Sequence, residues 1–74
     1  MSAQLDALDA IAERLAGNDA REGWGVLSTG EKLYVALAAN RVDLLAALNY
    51  SIPEALARVG ETWTRELVSR WQYR

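Results

Sequence analysis

The sequence predicts an all-α fold, a compact bundle of four to five short helices forming one domain over residues 1–74. Three observations carry that expectation. Apolar residues recur at the three-and-four spacing of a helical face along most of the chain, so each segment has one side to bury. Two Ser-x-x-Glu stretches, at residues 28–31 and 51–54, have the form of capping boxes, which mark helix starts. Asn and Gly interrupt the apolar segments where a chain has to leave a helix. Neither an alternating strand pattern nor an internal repeat is present.

Residues 3–16 put Leu5, Leu8, Ile11, Ala12 and Leu15 on one face, and Asp6, Asp9, Glu13 and Arg14 on what reads as the solvated remainder. Asp6 and Asp9 suit the positive end of the helix dipole, and Gly17 with Asn18 sets the expected end near Ala16. Residues 18–27 read as a loop in which Gly23 and Gly25 free the backbone on either side of Trp24. That indole serves either as a lid over the core or as an anchor for a partner.

Ser28 and Glu31 open a second helix, which Leu33, Ala36 and Leu37 continue to a stop at Asn40 and Arg41. A fresh short helix over residues 42–48, capped by Asp43, is the preferred reading there, against a single helix over residues 30–48. Ser51, Pro53 and Glu54 make the clearest helix start in the chain, because proline in the first turn gives up a donor that has no partner anyway. Gly60 closes that helix, and a last one follows in which Trp63, Leu67 and Trp71 recur every four residues. The expected core is Leu5, Leu8, Ile11, Leu15, Leu33, Leu37, Leu44, Leu56, Val59, Leu67 and Trp71.

Composition narrows the function. With 51% apolar and 24% charged residues the chain has the balance of a folded protein. Cysteine and histidine are both absent, which removes disulfides, thiolate chemistry, the usual zinc ligands and the commonest general base. No apolar run nears the roughly 20 residues of a bilayer span, and the opening residues lack a signal-peptide pattern, so a cytoplasmic location without membrane contact is expected. Thr29-Gly30-Glu31-Lys32 lacks the upstream glycine and the Gly-Lys-Ser/Thr ending of a phosphate loop. The expectation is a non-enzymatic protein with no catalytic residue, cofactor or metal.

Charge is unevenly distributed. Residues 1–31 carry six acids and two bases, and residues 32–74 carry six bases and four acids. Ordinary solvated faces explain such a split, as do surfaces of opposite sign that dock within the chain, between copies or with a partner. The end of the chain concentrates Trp, Tyr and Arg, the residue types that dominate binding hot spots. The candidate partner-binding residues are therefore Arg65, Arg70, Tyr73 and Arg74, with Trp24 as a further anchor. The expected function is a protein-binding or regulatory module, its partner another protein or a second copy whose acidic first helix meets Arg70 and Arg74.

Residues 55–60 (Ala-Leu-Ala-Arg-Val-Gly) and 67–71 (Leu-Val-Ser-Arg-Trp) resemble the helix-turn-helix of DNA-binding regulators over about a third of the chain. The resemblance implies a small DNA-binding regulator as the alternative function, with helices at about 52–59 and 62–73. The stretch between Gly60 and Val68 is about two residues too long for the compact form of that motif. Glu66 and an acidic whole also make nucleic acid the less favoured partner.

Overall fold

Both capping boxes close as their spacing predicts. The Ser28 hydroxyl accepts from the Glu31 amide while the Glu31 carboxylate accepts from the Ser28 amide, and Ser51 and Glu54 repeat the exchange. The computed structural model describes residues 3–18 and 23–72, and these form five α-helices and one 3₁₀ turn with no strand. In order they are α1 (Ala3–Asn18), the 3₁₀ turn (Trp24–Val26), α2 (Thr29–Ala38), α3 (Val42–Ala47), α4 (Ile52–Val59) and α5 (Glu61–Trp71). The predicted all-α bundle is the fold of this chain, and no described helix is long and apolar enough to cross a membrane.

α2 is the axis of the bundle, packed against α1, α3, α4 and α5. A helix surrounded in this way needs apolar residues all round, and residues 33–39 (Leu-Tyr-Val-Ala-Leu-Ala-Ala) supply them. Leu33, Tyr34, Val35 and Ala36 are wholly buried, and Leu5, Leu8, Ala12, Leu15, Leu45 and Ala55 close around them. The result is a near-sphere of 25 × 24 × 23 Å.

Two asparagines and one glycine turn the corners. Asn40 (φ 56°) separates α2 from α3, and Asn49 (φ 64°) separates α3 from α4. Asn tolerates this left-handed conformation better than other residues with a Cβ. The expected break at Asn40 is therefore present. Gly60 (φ 96°, ψ 164°) both ends α4 and begins α5, in a conformation essentially reserved for glycine. That one-residue connection differs from the three- to four-residue turn of a helix-turn-helix.

Five expectations need correction. α1 continues to Asn18, and Trp24 begins a 3₁₀ turn within the expected loop. Asp43 does not cap α3; it lies in the first turn and receives a two-pronged contact from Arg41, whose Nη1 also donates to the Leu15 carbonyl at 3.1 Å. Arg41 thereby ties the end of α1 to the start of α3. Leu37, Leu56, Val59, Leu67 and Trp71 are half-buried at the margin of the core, which Tyr34, Val35, Ala36 and Leu45 occupy instead. Asp9 is buried, contrary to its reading as a solvated residue.

Chemical denaturation separates these assignments. Leu33→Ala is expected to cost about 2–5 kcal/mol, with Leu37→Ala clearly less because its site is half open. At Gly60 an added Cβ meets no atom within 4 Å, so Gly60→Ala isolates the backbone strain, expected at about 1–3 kcal/mol. A neutral Gly60→Ala would mean that the corner relaxes without strain.

Candidate functional site

The polar centre of the molecule is the carboxylate of Asp9, a residue expected on the solvated side of its helix. Asp9 follows Leu5 by four residues and precedes Ala12 by three, so it stands within the apolar stripe of α1 and faces the junction of α2 and α5. Its side chain is 12% exposed. Oδ1 accepts from the Tyr34 hydroxyl at 2.7 Å and from Trp71 Nε1 at 2.8 Å, and Oδ2 accepts from Arg70 Nη1 at 2.8 Å. Arg70 Nη1 also donates to Asp6 at 2.8 Å, and its Nε to Glu66 at 3.1 Å. The Tyr34 ring meets Trp63 edge-on, with centroids 5.7 Å apart.

Burial pushes the Asp9 carboxyl upward, yet hydrogen bonds from Arg70, Trp71 and Tyr34, together with the Arg70 charge, outweigh that push and hold it below the ordinary carboxylate range. Burial, and then the bond to Asp9, moves the Tyr34 phenol in the opposite direction, above its usual value. Hydrogen bonds to Asp9, Asp6 and Glu66 keep Arg70 firmly protonated. Both carboxylate oxygens of Asp9 are occupied, so this cluster is suited to fastening helices together. Among the described residues no group of three His, Cys, Asp or Glu side chains is placed to hold a metal ion.

The predicted binding residues separate in space. Arg70 is directed inward with its side chain 20% exposed, paired to acids of α1 in the same chain. The acids foreseen as its contact in a second copy are thus supplied internally. Arg65 remains on the surface, 72% exposed, beside an equally open Glu61 one turn away at 2.8 Å. Trp24 packs half-buried against the core with Lys32 Nζ 5.8 Å from its ring centroid, the lid arrangement. Gly23 permits this: φ is 83°, and a Cβ there would lie 3.1 Å from Ile11 Cδ1. Tyr73 and Arg74 lie outside the described residues.

Two grooves flank the outer side of α5. One, of about 680 Å³, runs between α4 and α5 along Leu56, Ala57, Gly60, Thr64 and Val68, with Arg65 at its edge. The other, of about 540 Å³, lies toward α1 and α2 along Ala16, Leu37, Leu67 and Trp71. Val68 and Gln72 border both, and Val68 stands between them 52% exposed. The sequence pointed to α5 through its arginines and its terminal Tyr73 and Arg74; the groove between α4 and α5 depends on the small residues Ala57, Gly60 and Thr64, which no hot-spot composition signals. Compared with protein-family models, curated proteins and solved structures, the chain matches none.

The Asp9 cluster makes stability depend on pH with a definite sign. A carboxyl whose folded pKa lies below its unfolded value, near 4, stabilises the fold fully above the unfolded value and loses that contribution as pH falls through the folded one. Thermal melts between about pH 5 and pH 2 are expected to decline more steeply for the wild type than for Asp9→Asn. Equal slopes would show that the Asp9 charge is not what holds the cluster. Asp9→Ala, which strands Arg70, Tyr34 and Trp71, is expected to cost about 3–5 kcal/mol.

Proposed function

We infer that this chain is a non-enzymatic protein-binding module that receives an apolar segment of another protein in the groove between α4 and α5. One observation carries the reading: a groove of about 680 Å³ with an apolar floor, bordered by an exposed Val68 and by an arginine that is only loosely held. Monomeric domains usually bury valines or scatter them singly, and an apolar channel with a polar edge is the form taken by sites for amphipathic helices.

Arg65 supplies the specificity. Its pairing with Glu61 is open to water on both sides, and exposed pairs of this kind contribute only about 0–1 kcal/mol. A partner carboxylate replaces Glu61 at little cost and gains a two-pronged guanidinium contact. The partner segment is therefore apolar along one face, with an Asp or Glu beside it. An external protein fits better than a second copy, because the acids of α1 that would meet Arg70 across a dimer, Asp6 and Asp9, are engaged within the chain. The one-residue corner at Gly60 and the net charge of −2 weigh against DNA reading by α5.

A photo-crosslinking residue at position 68 captures the partner in cells, and the purified partner is then titrated against variants. Val68→Asp and Arg65→Glu are each expected to weaken binding at least about tenfold, or 1.4 kcal/mol, with melting unchanged since both positions are exposed. Unaltered affinity in Val68→Asp would overturn the reading. So would light scattering that shows a dimer dispersed by Val68→Asp, or duplex DNA binding that falls steeply with salt.

A further inference from the structure

α5 is attached differently from the other helices. α1, α2, α3 and α4 each contribute fully buried residues to the core, and α5 contributes none. Its apolar side chains Trp63, Leu67 and Trp71 lie on the core half-buried. What fixes its far end is polar: Arg70 and Trp71 grip Asp9, and Arg70 also grips Asp6. At its near end the chain passes from α4 to α5 through Gly60 alone, where the space for a Cβ is empty and the one side-chain hydrogen bond described from α5 to α4, Thr64 Oγ1 to the Leu56 carbonyl, is long at 3.4 Å. The pivot is thus a single glycine beside the edge-on contact of Trp63 with Tyr34, and the catch at the other end is polar.

We propose that α5 is a strap that opens about Gly60 as one unit and is held shut by the grip of Arg70 and Trp71 on Asp9. Lifting α5 leaves in place the packing of Leu5, Leu8, Leu15, Leu33, Val35 and Leu45, all on α1 to α3. It uncovers the Tyr34 hydroxyl and the side of α2 around Leu37, and it takes from both grooves the α5 wall that Val68 and Gln72 share, leaving Leu56 and Ala57 on α4 and Leu37 and Ala38 on α2 open. The closed and open forms therefore present different apolar surfaces to any partner. The strap is a property of the chain by itself and stands whether or not the α4–α5 groove is the binding site. Opening of this kind belongs to the sub-global motions that separate a weakly rooted element from its core.

Native-state hydrogen exchange on the whole chain tests the proposal. The amides of residues 65–71 are expected to exchange through one shared opening, with lower protection and a shallower denaturant dependence than those of residues 33–38 in α2. Asp9→Asn removes an interaction made only in the closed form and is expected to speed exchange in α5 by at least about tenfold, the effect of losing a hydrogen bond to a charged group. Leu45→Ala weakens a core that both forms share, so it raises exchange in α2 and leaves α5 unchanged; Leu45→Met serves if the alanine variant does not fold. Equal protection and equal denaturant dependence in α2 and α5 would overturn the strap, as would protection that declines residue by residue toward Trp71, the mark of simple fraying. A response to Leu45→Met or Leu45→Ala that is the same in both helices would do so too. No change in α5 on Asp9→Asn would remove Asp9 as the catch.

Discussion

A carboxylate withdrawn from water gives up hydration worth several kcal/mol, and the loss is made good only when charge and hydrogen bonds replace it at close range. Asp9 is in that position, and the donors that satisfy it come from two other helices: Tyr34 from α2, Arg70 and Trp71 from α5. Each has one placement in which it reaches the carboxylate, so the rotation of α1 about its axis, the depth of Tyr34 and the height of α5 are set together. Slide α5 by one turn and Arg70 loses Asp6 and Asp9 at once, leaving an uncompensated charge near the core. Apolar packing tolerates a family of similar arrangements, and a satisfied polar cluster selects among them.

The rest of the architecture supplies what that cluster cannot. Without disulfides, 74 residues rely on the core and on economical ends for short helices. The capping boxes at Ser28 and Ser51 each pair two backbone amides that a helix start otherwise leaves open. Gln4 donates to the same Glu31 that completes the first box, at 2.9 Å, and so joins the start of α1 to the start of α2. Arg41 does the equivalent at the other end of α1. Connections this tight leave α2 no route except through the middle, which is why residues 33–36 vanish from the surface entirely.

Local signals were legible because they depend on neighbours in sequence. The Ser-x-x-Glu boxes, the stop at Asn40 and the glycine at the α4–α5 corner are all present as read, and the stripe of Trp63, Leu67 and Trp71 does turn toward the core, though only half-buried. What sequence could not rank was the order of burial. Leu37 and Tyr34 sit one turn apart on the same side of a helix that is apolar all round over residues 33–39, so periodicity cannot rank them; the elements that cover each turn decide it, and Trp63 covers Tyr34 while Leu37 borders a groove. Asp9 was legible in part. Its spacing from Leu5 and Ala12 puts it within the apolar stripe, and a carboxylate there signals a buried partner, but its identity as Arg70, sixty-one residues away, is set by the tertiary fold.

The arginines show that composition does not say where a side chain is used in a domain this small. A chain end rich in Trp, Tyr and Arg has the makeup of an interface, yet the same residue types satisfy a buried carboxylate, and Arg70 and Trp71 do so here. Arg70 and Trp71 are spent inside, while Arg65 and Val68, one turn nearer the pivot, stay outside beside an apolar groove. The opposite charges of the two halves of the chain are likewise partly consumed internally, through Asp6 and Asp9 against Arg70. Internal and external roles also differ in how tightly each arginine is held. Arg70 makes three charged contacts at 20% exposure and is committed, whereas Arg65 makes one at 72% and is exchangeable. Arg41 and Arg70 are drawn in to hold helices together, at 21% and 20% side-chain exposure, whereas Arg65 stays on a weak surface pair beside an apolar channel, so that α5 has an inner side committed to the fold and an outer side whose charge remains exchangeable.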